Sequence, residues 1–237
     1  MTNKGGIVMN NYNKIPDIEN YIEDNINPTI YSNNCPYHLP FYQTKDTLIN
    51  IEDYKKFLDN SISRFRHSKT YKHYKGYLID LGLNRCQFHG NITNEMATIE
   101  MHHNMITIYD IAIIITEHVI NTKGYISSFD LVQILKEEHK ANNISLVMLA
   151  LTPHQLYHEN PDFFIHPNMC FGNWPKLLEK YNKGITLDIA FKILFYLKKA
   201  IENNNSQDNQ LLDIRDKILN WSGLNNQMYL KGGFYYD

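Results

Sequence analysis

Two short stretches concentrate the groups able to bind a metal ion or move a proton near neutral pH: Ile99-Glu100-Met101-His102-His103-Asn104 and Thr152-Pro153-His154-Gln155-Leu156-Tyr157-His158-Glu159. His154 and His158 stand four residues apart behind Pro153, a residue suited to the first turn of a helix, so both imidazoles project from one helical face at ligand spacing. His102 and His103 are adjacent in a run that alternates like a strand, which sends their side chains to opposite sides. One of that pair can bind metal while its neighbour acts as a base. An isolated histidine is often a partly buried hydrogen-bonder; four at these offsets read as one metal site.

The elements between and around the two stretches must bring them together. Thr107 to Thr122 reads as an amphipathic helix with Ile108, Ile111, Ala112, Ile115 and Val119 on one face, and Ser127 or Ser128 caps a second that runs to about Ala141; Gly124 breaks the two apart. His118 and His139, on these helices, are assigned to the surface or to packing. Asp110 is placed to support a ligand but is not counted as one. Ile51 to His67 has a helical apolar period, exposing Lys55, Lys56, Arg64 and Arg66, and with His67, Lys69, Lys72, His73 and Lys75 it forms the most basic segment of the chain. This segment reads either as a solvated surface or as a phosphate-contacting face with Tyr71 and Tyr74 beside it. Tyr77 to Leu81 reads as a short strand ended by Gly82.

Pro16, Pro28, Pro36 and Pro40 exclude a long helix from residues 1–47, which are expected as an extended arm docked on the domain or on a partner. Cys35 and His38 within it are too few for a metal site, which wants four ligands. Toward the C-terminus, Trp174-Pro175 opens a helix to about Tyr181, Thr186 caps a longer one to about Asn203, and Leu211 to Trp221 makes a last one. No chemistry is identified in that third of the chain.

Over the whole chain, 237 residues with 43% hydrophobic content suffice for a core, and 23 basic against 25 acidic residues give a formal charge of -2. No global field draws such a chain to nucleic acid, so any contact with phosphate has to come from a local patch. Cys35, Cys86 and Cys170 are odd in number and widely spaced, which fits a reducing cytoplasm better than a secreted disulfide framework. The N-terminus lacks the apolar run of a signal peptide, and Ile111 to Ile115 is too short to span a bilayer, so no membrane association is expected.

The two histidine stretches resemble the HNH (His-Me finger, ββα-metal) nucleases, whose pattern is a Glu-x-His-His strand, an Asn-Leu-Val-x-Leu strand and a helix carrying His-x-x-x-His. Glu100-Met101-His102-His103, Ser145-Leu146-Val147-Met148-Leu149 and His154-Gln155-Leu156-Tyr157-His158 fit these in turn, over roughly residues 84–160. Ser145 stands where the family usually has Asn, and Asn143 lies two residues earlier. Cys86-Gln87-Phe88-His89, Ala150 and Pro153 stand where many relatives carry two Cys pairs.

The resemblance implies that His102, His154 and His158 hold one divalent ion (Mg2+, Mn2+ or Zn2+). It implies that His103 is the general base, with Ser145 in the position that orients it. A phosphodiester resists attack because it is anionic, so a Lewis acid beside a near-neutral base is the matching chemistry. Lys55, Arg64, Arg66, Lys69, Lys72 and Arg85 would then contact nucleic acid.

The expected architecture is α+β: a ββα-metal domain at 84–160 with an inserted helical pair, preceded by the arm (1–47) and a helix with a basic segment (48–83), and followed by a C-terminal helical region (161–237). The expected function is a metal-dependent endonuclease acting on DNA, with RNA as a second target class, in the host cytoplasm if the chain is phage-encoded. A protein partner is assigned to the arm. The alternative is a non-catalytic binding or structural phage-type protein that retains the finger as a scaffold, which the near-neutral charge and Ser145 favour.

Overall fold

Asn50 starts the first helix, α1 (Ile51–His67), by accepting hydrogen bonds from the Glu52 and Asp53 backbone N–H groups. Glu52 and Asp53 lie in its first turn and Arg64, Arg66 and His67 in its last, the charge order that the helix dipole favours. The computed structural model describes residues 42–160, 163–203 and 208–224. Most of the expected arm, including Cys35 and His38, lies outside them.

Ser68 ends α1 and caps α2 (Lys69–Asp80), its hydroxyl accepting from the Tyr71 N–H. The strand expected at Tyr77–Leu81 is therefore not formed; the helix continues to Asp80, and Gly82 at φ 87° follows it. Packing decides the matter. Tyr74 and Leu78, four residues apart, are both buried, whereas a strand would have needed alternate positions inside.

Two capping boxes launch the inserted helices. Thr107 and Asp110 reciprocate at the start of α3 (Ile108–Lys123), and Ser127 and Asp130 at the start of α4 (Ser128–Lys140). Between them Gly124, at φ 85°, reverses the chain in a conformation that costs glycine least. It leads into β3 (Tyr125–Ser127), which pairs antiparallel with β1 (Tyr42–Thr44), Gln43 opposite Ile126. The last residues of the expected arm are thus a strand of the folded unit.

The second sheet carries the histidines. β2 (Ile99–His103) and β4 (Leu146–Ala150) run antiparallel, with Glu100 opposite Leu149 and His102 opposite Val147, and α5 (Leu151–Glu159) follows β4 without a loop. Every residue of β4 is buried. Alternation along β4 sends Leu146 and Met148 into the main core and Val147 and Leu149 into a smaller cluster with Cys86 and Ile165.

The main core extends from Leu58 on α1 through α3 and α4 to α6 (Trp174–Lys180), α7 (Leu187–Glu202) and α8 (Asn209–Ser222). A turn at Asn182–Gly184 lies directly on α3, so close that a Cβ on Gly184 would fall 1.8 Å from the Ile114 carbonyl oxygen. Among the described residues the architecture is α+β, helices with two small antiparallel sheets. Among the described residues no helix is long and apolar enough to cross a membrane.

Candidate metal centre

Strand β2 and helix α5 bring three imidazoles to one point. His102 Nδ1 lies 3.1 Å from His154 Nε2, which lies 3.3 Å from His158 Nε2, and the three donor atoms are all within 4.8 Å of one another. Two donors each about 2.0–2.1 Å from a tetrahedral zinc ion sit roughly 3.3 Å apart, so these separations suit a shared ion. The helical i, i+4 spacing supplies His154 and His158, and the strand supplies His102 from across the sheet.

Tautomers follow from the outer contacts. Glu100 Oε2 is 2.5 Å from His154 Nδ1, so that nitrogen carries the proton and Nε2 presents its lone pair inward. That single lone pair faces both His102 and His158, and it cannot accept a good hydrogen bond from each; a cation at the common centre satisfies all three nitrogens. Burial, with His154 and His158 nearby, lowers the pKa of His102 to about 4, which keeps its imidazole neutral and available as a ligand. The Tyr157 ring packs edge-on against His102, centroids 4.4 Å apart, and fixes the ring from the side.

His103 points the other way, as the alternation requires, and meets a partner the sequence did not reveal. Its Nε2 lies 3.1 Å from His139 Nε2 on α4, and His139 donates through Nδ1 to the Leu135 carbonyl at 2.7 Å. His139 Nε2 is therefore the acceptor and His103 the donor. The pair is walled by Phe65, Tyr71 and Tyr74, and burial holds both histidines well below their ordinary pKa. A general base must present its lone pair to the substrate, whereas His103 is 8% exposed and its Nε2–H is given to His139 within the core.

Ser145 does not orient His103. It is 2% exposed, its carbonyl accepts from the Asn104 N–H at 3.1 Å, and its hydroxyl bonds Cys170. Asn104 Nδ2 in turn reaches the Ile165 carbonyl at 3.2 Å, Cys170 Sγ at 2.9 Å and the Tyr196 hydroxyl. Asn143 donates to Glu138 at 2.6 Å, and the Asp110 carboxylate accepts from the Thr107 N–H in the α3 capping box and pairs with Lys192. These groups tie strands to helices and stand apart from the histidine triad.

Of the cations expected to meet nucleic acid, Lys55, Arg64, Arg66, Lys69 and Lys72 are exposed on α1 and α2, with Arg64 over the Phe129 ring and bonded to Ser128. Arg85 is exposed on a separate bridge to Thr93. Sequence reading gave Glu100 no role beyond its place in the motif, yet it is the carboxylate that meets His154. Its signal was present, because it precedes His102 by two and so shares its face of the strand.

Fold and site together define an α+β protein with a strand-and-helix histidine triad backed by a carboxylate. A family model of bacteriophage G278-like virion proteins matches residues 2–224, nearly the whole chain, and the chain belongs to that family. No curated protein and no solved structure matches it. This membership overturns the resemblance to HNH nucleases and with it the assignment as a DNA endonuclease. The buried His103–His139 pair is the physical counterpart of that correction, since the expected base is locked into the core.

Proposed function

We propose that the protein is a non-catalytic structural component of a phage particle, in which His102, His154 and His158 hold one divalent ion that staples α5 to β2. The observation that carries the role is the virion-family match over residues 2–224. The staple is supported by what α5 lacks. Within this nine-residue helix only Pro153 is fully buried, and its N-terminus has no side-chain cap. So short a helix has little stability of its own, and three ligands on one ion supply an anchor that its apolar contacts do not. The ion would take three nitrogens from the protein and a fourth donor from water.

Partners under this reading are other proteins of the particle. The exposed cations of α1 and α2, with no acidic residue between Asp59 and Asp80, suit an anionic surface there. Peptide mass spectrometry on gradient-purified particles of the encoding phage tests the role. The chain should be present at a fixed ratio to the major structural proteins; its absence from washed particles would refute the proposal.

A further inference from the structure

The donor set says more than that an ion is held. All three inward-facing donors are imidazole nitrogens, whereas Mg2+ prefers oxygen ligands and Mn2+ is well served by carboxylate and water. A carboxylate is at hand, but Glu100 turns Oε2 onto His154 Nδ1 at 2.5 Å, and Glu100 is not among the clustered ligands. A carboxylate behind a ligating histidine fixes the tautomer, aims the ring and raises the basicity of the opposite nitrogen. Strand alternation makes the arrangement possible, since β2 presents Glu100 and His102 on one face opposite Leu149 and Val147.

From this geometry, and resting on the staple reading above, we infer that Glu100 is the positioning residue of a site that selects a late, nitrogen-preferring ion, Zn2+ foremost, over Mg2+ and Mn2+. The oxygen that a harder ion would recruit is committed to His154, and withdrawing it would release the ring that the ion also needs. Selectivity and orientation then come from one contact.

The test is calorimetric titration of the full-length, untagged chain with Zn2+, Mg2+ and Mn2+, on wild type, Glu100→Ala, Glu100→Gln and His154→Ala. Visible spectra of the Co2+-loaded forms accompany it. Wild type should bind Zn2+ at one per chain, with no measurable uptake of Mg2+ or Mn2+ at equal concentration. Glu100→Ala should weaken Zn2+ about 10–100-fold, and Glu100→Gln, which still offers an oxygen to Nδ1–H, less. The Co2+ band of Glu100→Ala should shift while its metal-free melting temperature stays close to that of wild type, because the Glu100 side chain is 39% exposed and its ion pair is with His154 of the site. Zn2+ binding to Glu100→Ala as tight as to wild type, or Mg2+ competing on equal terms, overturns the inference and leaves the staple standing. Failure of wild type to bind any of the three ions overturns both.

Discussion

His103 and His139 show how one buried contact changes the meaning of a motif. Each is held neutral by burial, and His139 reaches a pKa of about 4 against an ordinary 6.5. The unfolded chain takes up protons as pH falls through 6.5, while the native chain resists until about 4, so the unfolded state binds more protons in that window. Stability should therefore be flat above pH 7 and fall between 6.5 and 4, by an amount of the order of 3 kcal/mol at most for His139. Urea midpoints measured in chelator across this range check it; a flat profile would show that the pair is not buried neutral. His103→Ala leaves the His139 acceptor unpaired and should cost about 1–3 kcal/mol with Zn2+ affinity retained, which unfolding and titration on the same preparation will separate. The convergence of His102, His154 and His158 was legible because i, i+4 helical spacing and strand alternation are local rules. The His103–His139 pairing was not, since nothing local places residue 139 beside residue 103.

Elements were legible where their ends carry side-chain chemistry. Asn50, Thr107 and Ser127 each mark a helix start with a side chain that accepts from the backbone, and α1, α3 and α4 lie within a residue or two of where periodicity and caps put them. Ser68 caps α2 in the structure in the same way, but the Tyr77-Leu78-Ile79 run favours strand by type, and the burial of Tyr74 and Leu78 goes with helix. Strands β1 and β3 escaped notice because three residues show no period and their pairing joins distant parts of the chain. The close turn over α3 is testable at this scale. Gly184→Ala would drive a methyl into the Ile114 carbonyl, so it should destabilise by about 1–3 kcal/mol or more, and an unchanged melting curve would mean that the turn does not sit on the helix as described.

For the whole molecule, a formal charge of only -2, a core shared by helices from both halves of the described chain and membership in a virion family agree with the structural role proposed above. The family could not be read from the sequence by motif, because the histidine spacing that the chain carries is also the one that HNH nucleases show, and His102 and His103 are equally buried on the two faces of β2. An ion bound only by the native state stabilises it by about 2.7 kcal/mol at a hundredfold excess over Kd. Zn2+ should therefore raise the melting temperature and slow amide exchange in α5 more than in α3 or α7, which deuterium exchange with and without chelator will reveal.

The central claim, that His102, His154 and His158 hold a resident ion, is tested most directly by elemental analysis of the untagged chain after gel filtration in metal-free buffer. One equivalent of a divalent metal, zinc foremost, is expected per wild-type chain and a small fraction of that in His154→Ala. A wild-type chain that is folded, carries no stoichiometric metal and takes none up when Zn2+ is supplied would contradict it.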